Sequence, residues 1–397
     1  MVRRNGSFLG HDGLDAPDAP TGVAGTASSE EVSVAFTAGT AGTTATTGFV
    51  VQVSTNGTDY SAGSNTGGSS PIVVSSLTNF TTATAKVWAI NAHGTSEPSE
   101  ASSSFTPVAP RAYWFGRTTV NVFYSSITST GNTTDWGYAM RYANYTCGTG
   151  SSTTRAVQCG YEDDASAASS QLIEQFNLAS GGTGTNFGDL NVTAAKRNAG
   201  CSNDTRAIFT QGASNSNVIE FVTIASAGDG TDFGNLTAGR SVNSALASPT
   251  RGVIVGGFVS GSNFSNIMDY VTISSTGNAT DFGNTLAAVN GTASCSSSVR
   301  GVIGGGDVSG GTQNVIQYIT IASAGNATDF GDLPQTIRYG GAGGSETRAL
   351  FAGEFSGNTN GINYITIANT GNAQDFGDLT NNETNGVSCA SNAHGGL

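Results

Sequence analysis

The sequence GNATDFG occupies residues 277–283 and recurs unchanged at residues 325–331. Its last three letters, or a close variant of them, occur six times, beginning at Asp135, Asn186, Asp232, Asp281, Asp329 and Asp375. These copies follow one another at intervals of 51, 46, 49, 48 and 46 residues. A period near fifty is typical of repeat architectures, in which each unit needs its neighbours to bury its apolar face.

The triplet DFG also marks the metal-binding aspartate of protein kinases, where it occurs once, downstream of a glycine-rich loop and a strand lysine. Here it recurs in successive units, and the two lysines, Lys86 and Lys196, lie outside any VAIK-like sequence. We therefore interpret Asp281 and Asp329 as repeat residues without a catalytic role.

Composition favours an all-β chain. Of 397 residues, 56 are glycine and only 11% are charged, and Thr, Ser, Asn, Val and Ile fill short strand-like runs. The net charge of −13, with no basic run beyond Arg3 and Arg4, argues against a nucleic-acid partner. The N-terminal sequence has no apolar core of seven or more residues, and no apolar run approaches eighteen, so we expect neither a secretion signal nor membrane insertion.

The cysteines recur with the repeats. Cys201, Cys295 and Cys389 each lie five residues before the arginine position of the next repeat, and Cys147 lies near the same point. Equivalent positions in neighbouring units would be too far apart for a disulfide. We expect buried thiols, made in a reducing compartment, without a metal role.

The N-terminal third divides into an arm, residues 1–17, and a proline-bounded domain, residues 18–109. Alternating runs predict strands over VSVAF, GFVVQVS, PIVVSSL and TAKVWAINAHGTSEPS, beginning at Val32, Gly48, Pro71 and Thr84. The stretch resembles a fibronectin type III domain, which implies a β-sandwich. It departs from that family at Phe36, where the family has tryptophan, and at Ala83, where the corner tyrosine is expected.

Residues 110–397 hold six units. Each opens with strand a, which begins at an arginine: Arg111, Arg155, Arg206, Arg251, Arg300 and Arg348. Strand b, as in YVTIS, follows; then come the turn GNAT and the short strand c with its aromatic residue. The aromatic position of strand b precedes the Asp position by 11 residues in every unit. The distance from the arginine to that aromatic position varies, at 13, 20, 15, 19, 18 and 16 residues. Only the a–b connection varies.

The sequence stops, at CASNAHGGL, in the same phase of the repeat at which Arg111 began it. A linear solenoid would need polar caps, so closure into a ring fits better. We predict a six-bladed β-propeller of four-stranded blades, in which the DFG aromatic packs between blades and the Arg and Asp positions make repeated structural contacts.

The unit, with RGVIVGG, Tyr270, Phe282 and the following Arg300, resembles a degenerate kelch repeat. The segment ITIASAGNATDFGDL and the HGGL ending are similar to a repeat of virion structural and tail-fibre-like proteins of marine cyanobacterial phages. That resemblance spans about 70% of the chain and implies a protein of the phage particle, located in the virion after assembly in the host cytoplasm.

Several residue patterns in the repeats could in principle form a metal or catalytic site. The six Asp or Asn residues of the DFG position could bind calcium, but no D-x-D-x-D-G cluster exists, and we favour turn capping or pairing with arginine. STGNTTDWG, residues 129–137, resembles the Asp-box of sialidases, and Glu162, Asp163 and Asp164 form the one carboxylate cluster that a glycosidase could use. The three histidines, His11, His93 and His394, suggest no catalytic or metal set. We expect no enzyme, metal or cofactor.

The variable a–b connections should emerge on one face, where recognition is usually placed. Aromatic rings and polar acceptors suit sugar binding, and the candidate binding residues are Tyr161, Glu162, Asp163, Asp164, Phe258, Phe264, Asp307, Glu354 and Phe355.

The leading hypothesis for function is a phage tail fibre or surface appendage. Its arm and sandwich would contact other virion proteins, its propeller would bind host polysaccharide or a virion protein, and it would be a homo-oligomer in the particle. The alternatives are a capsid decoration or tail-tip protein without a receptor role, and a tailspike glycosidase.

Overall fold

The structure, a computed structural model, describes residues 16–116, 120–140, 147–160, 171–191, 198–212, 215–259, 263–353, 360–380 and 386–397. Within these ranges the chain forms β-strands and no α-helix, and the strands pair antiparallel except for one short parallel pair. The all-β prediction is therefore confirmed. The chain divides into two compact units, Met1–Ala109 and Pro110–Leu397.

The first unit contains seven strands in two sheets. One sheet has the order β1-β2-β5 and the other β4-β3-β6-β7. The strands are β1 (Thr21–Ser28), β2 (Glu31–Thr37), β3 (Gly48–Ser54), β4 (Gly63–Gly67), β5 (Ile72–Ser75), β6 (Thr84–Asn91) and β7 (Gly94–Thr95).

Alternation along these strands builds the core of the first unit. In β6 every second residue is buried, and Val87 and Val51 of β3 are fully enclosed. Phe36 is buried against Phe49, with ring centroids 4.8 Å apart, and Ala83 is also buried.

The predicted strand from Thr84 to Ser99 is too long, because β6 ends at Asn91. Beyond β7 the chain returns along β6, and three serine hydroxyls spaced three residues apart accept hydrogen bonds from its backbone. Ala89 donates to Ser96 at 2.9 Å, Val87 to Ser99 at 3.0 Å and Ala85 to Ser102 at 3.0 Å. These hydroxyls satisfy backbone donors that a regular ladder would otherwise have paired.

The second unit is a series of small sheets. Its strands are β8 (Arg111–Gly116), β9 (Asn121–Ser126), β10 (Thr134–Tyr138), β11 (Gly148–Ser151), β12 (Arg155–Cys159), β13 (Leu172–Asn177), β14 (Gly182–Thr183), β15 (Thr185–Asp189), β16 (Gly200–Ser202), β17 (Arg206–Thr210), β18 (Val218–Thr223), β19 (Thr231–Asn235), β20 (Ser244–Ala247), β21 (Arg251–Val255), β22 (Phe258–Val259), β23 (Asn263–Thr272), β24 (Thr280–Val289), β25 (Ala293–Ser296), β26 (Arg300–Gly304), β27 (Asp307–Val308), β28 (Gly311–Thr312), β29 (Val315–Thr320), β30 (Thr328–Asp332), β31 (Gly341–Gly344), β32 (Arg348–Ala352), β33 (Gly361–Thr366), β34 (Gln374–Asp378) and β35 (Val387–Ser391).

We number the sheets 1 to 6 by their arginine strands β8, β12, β17, β21, β26 and β32. The predicted strands a, b and c are the second, third and fourth strands of each sheet. In sheets 2 to 6 a short first strand precedes the arginine, and it was not predicted because it contains few apolar residues. The first strands are β11, β16, β20, β25 and β31 for sheets 2 to 6.

Sheet 1 takes its first strand from the other end of the unit. β35 pairs antiparallel with β8, with Cys389 opposite Trp114. In sheet 3 the cysteine at the corresponding spacing, Cys201, lies opposite Ile208, one position earlier in the arginine strand. The two strands pair in the same register, but adjacent positions along a strand face opposite sides of the sheet. Cys389 therefore packs against sheet 6, with Leu350 and Ile362, whereas Cys201 packs against sheet 4, with Ile254 and Val271.

Consecutive sheets contact each other through their first strands. Each first strand contacts the next in the order β11, β16, β20, β25, β31 and β35, and β35 in turn contacts β11. We call the boundary between two consecutive sheets a seam, so that seam 6–1 joins the last sheet to the first. Most apolar clusters of this unit lie in seams, as where Phe282 of sheet 4 packs with Ile303 and Ile319 of sheet 5.

The antiparallel order gives each sheet two kinds of strand ends. Connections between second and third strands, and between one sheet and the next, lie at one end, which we call the loop face. Connections between first and second and between third and fourth strands, including the GNAT turns, lie at the other, the turn face.

Candidate functional site

The DFG triplets build the seams. Asp281 and Gly283 pair with the adjacent residues Asp269 and Met268, so Phe282 is the extra residue of a β-bulge and is 2% exposed. The φ of Gly283 is +137°, and a Cβ there would overlap the carbonyl oxygen of Gly325 in the next turn. A Cβ would likewise overlap the carbonyl oxygen of a glycine in the neighbouring turn at Gly137, Gly188, Gly234, Gly331 and Gly377. Glycine is required in DFG because two backbones meet there.

The asparagine of each GNAT-type turn joins its own sheet to the preceding one. Asn278 Oδ1 accepts a hydrogen bond of 3.0 Å from the backbone N–H of Asn235, the residue after the preceding DFG. Asn326 receives the same bond from Asn284, Asn372 from Asp332 and Asn132 from Asp378, each at 3.0 Å, and in seam 2–3 Asp229 receives it from Asp189 at 3.0 Å. We call this bond the staple; the bond to Asn132 closes seam 6–1.

The repeat arginines cross the seams on the turn face. The guanidinium of Arg251 lies 4.2 Å from the ring centroid of Tyr270, and its Nη1 donates to the carbonyl of Ile321 in the next sheet at 2.8 Å. Arg348 does the same with Tyr364 and, across seam 6–1, with the carbonyl of Ile127 at 2.9 Å. A cation–π contact of this kind is worth about 0.5–1 kcal/mol at an exposed site.

The Asp residues of the DFG position do not pair with these arginines. Asp281 and Asp329 are exposed, and the ion pairs among the described residues are Arg240–Asp269 and Arg338–Asp307. The predicted arginine pairing of the Asp position is therefore not seen, because aromatic rings and carbonyl groups occupy the guanidinium groups instead.

Buried acceptors hold the seams near the loop face. Glu220 Oε2 accepts from the backbone N–H of Asn191 at 3.1 Å, Gln317 Oε1 from Leu286 at 2.9 Å, and Glu174 from Met140. Burial raises the pKa of Glu220 above its ordinary value. Although such a carboxyl could serve as an acid, its hydrogen bond to the preceding sheet indicates a structural role.

Of the candidate binding residues, Phe258, Phe264 and Asp307 lie in the described part of the chain. Phe258 and Phe264 pair across β22 and β23 with ring centroids 6.1 Å apart, and both are half-buried. Asp307 is mostly buried; it accepts from Arg338 Nη1 at 2.8 Å and from Thr312 Oγ1 at 2.7 Å, so its carboxylate is already occupied. Tyr161, Glu162, Asp163, Asp164, Glu354 and Phe355 lie outside the described residues, as does most of the arm.

A cavity of about 60 Å³ lies near the loop-face ends of the first strands. Its wall carries amides and hydroxyls from four different sheets, among them Asn198, Asn243, Thr292, Ser294 and Ser388. These side chains offer both donors and acceptors without charge, which suits hydroxyl groups of a neutral ligand. No sequence motif indicated this site, because its residues lie in the first strands or just before them, and these segments were not recognised as strands.

Residues 392–397, which we call the closing segment, lie at the turn-face ends of the first strands. His394 Nε2 lies 2.9 Å from the carbonyl oxygen of Ser151 and 3.2 Å from Ser202 Oγ, and Gly395 N–H donates to Ser296 at 2.9 Å. Burial lowers the pKa of His394. The HGGL sequence thus links sheets 2, 3 and 5, and its histidine does not take over the seam contacts of a repeat arginine.

The cysteines are all buried and free. Cys201, Cys295 and Cys389 border a second cavity, of about 70 Å³, beside the closing segment. Burial raises the pKa of the Cys201 thiol to about 12, which keeps it protonated and unreactive near neutral pH.

One polar cluster is buried in seam 3–4. Arg240 Nη2 lies 3.0 Å from Asp269 Oδ2, and both side chains are fully enclosed. Arg240 Nε and Nη1, both side-chain polar atoms of Gln211 and Asn243 Nδ2 have no hydrogen-bond partner in the described structure. In the next two repeats Val289 and Ile337 take the position of Arg240, so this cluster is a departure specific to one seam.

The described residues bring no three His, Cys, Asp or Glu side chains together as a metal site, and no helix among them could cross a membrane. Comparison with protein-family models gives no match, and no curated protein is detectably similar to the chain.

Proposed function

We propose that the chain is a structural protein of a bacteriophage particle, a tail fibre or surface appendage, whose second unit recognises another surface. The observation that carries this proposal is the use of the repeat motifs. In five of the six seams, glycine, the staple residue, arginine and phenylalanine all make contacts between sheets, so the motifs serve a scaffold and leave the variable connections available for recognition.

The finer fold belongs to the same proposal. Six sheets in sequence, first strands in mutual contact and a last strand that completes sheet 1 support a six-bladed, kelch-like β-propeller. Sheets of order β1-β2-β5 and β4-β3-β6-β7 support a fibronectin type III-like sandwich. In the proposal the arm and sandwich contact other virion proteins, and the chain is a homo-oligomer in the virion.

The loop face is the proposed recognition surface, and host-surface polysaccharide is its proposed ligand. Half-buried Phe258 and Phe264 offer ring faces for stacking on sugars. The amides and hydroxyls around the 60 Å³ cavity offer hydrogen bonds to hydroxyl groups.

The test is the binding of the labelled full-length chain to cyanobacterial host cells, with and without competing host polysaccharide. We expect saturable, competed binding that falls about tenfold in the Phe258→Ser/Phe264→Ser variant, since each buried aromatic contact is worth about 0.5–1.5 kcal/mol. Val299→Ser is the control, because Val299 is 62% exposed and lies at the turn face.

A purely structural role, as a capsid decoration or tail-tip protein, is the second candidate. Asp307, one predicted ligand-binding residue, is neutralised by Arg338. Absence of cell binding, combined with normal incorporation of the chain into particles, would favour that role over receptor recognition.

A further inference from the structure

Seam 1–2 departs from the other five. At the position where the other sheets have Asp189, Asn235, Asn284, Asp332 and Asp378, sheet 1 has Tyr138. Opposite it, Thr183 replaces the staple residue, and its turn pairs with β10 as the parallel strand β14. The staple is therefore lost in this seam although the backbones still meet.

The arginine contacts change in the same seam. The carbonyl of Leu178, which corresponds to Ile321 and Ile127, accepts its bond from the hydroxyl of Tyr113 at 2.9 Å. Arg155 keeps the usual contact in the next seam, where its Nη1 donates to the carbonyl of Ile224 at 2.8 Å. Departures from a repeat that concentrate at one place are expected at functional sites, since elsewhere the local rules are kept.

The departure opens a groove. A cavity of about 360 Å³ lies along the outer strand of sheet 1 and is lined by Asn121, Asp135, Trp136, Tyr138 and Thr183. This volume lies within the range of about 300–1,000 Å³ that is typical of small-molecule sites.

Two aromatic residues of the groove are at least partly exposed, and one of them is more exposed than its repeat equivalents. Tyr138 is 54% exposed, and Trp136 is half-buried, whereas the phenylalanines in the position of Trp136 are 2–3% exposed. Both residues border the groove, with Trp136 placed as the extra residue of a bulge, since Asp135 and Gly137 pair with the adjacent residues Phe123 and Val122. The rings of Tyr113 and Phe176 pack against Trp136, at centroid distances of 5.1 and 6.1 Å.

We propose that the groove of seam 1–2 is a binding subsite for a neutral glycan of hexopyranose units. Two aromatic rings that border one groove suit the apolar faces of sugars, and Asp135 and Thr183 supply acceptors for hydroxyl groups. The exposed Asp135 and the net charge of −13 disfavour uronic or sulfated sugars. This inference rests on the proposed role in glycan recognition, and it places a glycan subsite on a surface other than the loop face.

The experiment uses the full-length chain with two probes, purified host-surface polysaccharide and cellohexaose. Binding is followed by tryptophan fluorescence and by calorimetry. Trp136 is one of three tryptophans; Trp114 is fully buried and Trp88 lies in the first unit. A change in tryptophan fluorescence on addition of a probe that occurs in the parent chain but not in Trp136→Phe therefore reports binding in this groove.

The repeat supplies matched variants. Trp136→Phe and Tyr138→Asn introduce residues that sheets 3 and 4 already carry at these positions, and Thr183→Asn introduces the staple residue. We expect each of the first two to weaken binding at least tenfold without lowering the melting temperature, and Thr183→Asn to weaken it by narrowing the groove. Val299→Ser is the neutral control, and Phe258→Ser/Phe264→Ser separates binding at the loop face from binding in the groove.

Undiminished binding by Trp136→Phe and Tyr138→Asn would overturn the subsite. If only Phe258→Ser/Phe264→Ser lost binding, the proposed recognition role would stand without the subsite. Failure of the parent chain to bind either probe would overturn the subsite, and failure to bind host cells as well would overturn the recognition role.

Discussion

At the residue scale, the repeated triplet is explained by packing. Each DFG provides a buried aromatic side chain, a bulge and a glycine against which the next turn is placed. The dismissal of a catalytic aspartate followed from the sequence, because a catalytic residue does not recur every fifty residues. The staple could not be predicted, since an Asn-Gly pair looks the same whether it serves its own turn or a neighbouring sheet.

A single substitution tests this account. Gly283→Ala should lower the free energy of unfolding by about 1–3 kcal/mol, because a Cβ would overlap the carbonyl of Gly325 in a region of positive φ. Urea unfolding measures the change. Gly325→Ala is the matched control, since its Cβ would meet no atom within 4 Å, and an equal effect of the two substitutions would contradict the packing argument.

At the element scale, the sequence predicted strands best where apolar residues alternate. Strands a, b and c of each repeat were found, whereas the first strands, such as GTGS and GAGG, were missed because glycine and serine carry no strand signal. The HGGL ending was interpreted as the point at which the repeat returns to the phase of Arg111. Its actual position depends on His394 reaching Ser151 and Ser202, which are far away in sequence.

The closing segment should respond to pH. Because burial lowers the pKa of His394, the unfolded chain binds a proton more readily than the folded chain, so stability is complete above the ordinary pKa of about 6.5 and declines as pH falls below it. The melting temperature of the parent chain should therefore drop between pH 7.5 and 5.5 by more than that of His394→Asn. Parallel declines in the two proteins would show that His394 does not contribute.

At the scale of the whole molecule, the second unit depends on pairing between residues that are distant in sequence. The fixed spacing of 11 residues and the variable a–b connection predicted repeated sheets, and the phase of the last repeat suggested closure. Neither indicated that β35 would be the pairing partner of β8. The groove of seam 1–2 was missed because DWG was interpreted as another copy of DFG.

Removal of β35 tests the dependence of the unit on closure. A chain ending at Gly386 lacks the first strand of sheet 1 and exposes Trp114 and Leu350, so we expect loss of cooperative unfolding throughout the second unit. A chain ending at Asn392 retains β35 and should remain folded. Circular dichroism and proteolysis distinguish the two, and a stable, protease-resistant chain ending at Gly386 would argue for an open array.

The position of β35 also sets an order of events during synthesis. Val387 is translated 271 residues after Gly116, its pairing partner in β8, so sheet 1 stays incomplete while the sheets between them emerge from the ribosome. Until then β8 has an unpaired edge in the nascent chain, which β35 of another copy could fill. Polysomes that carry many copies of this chain would therefore be the place where strand exchange between copies begins.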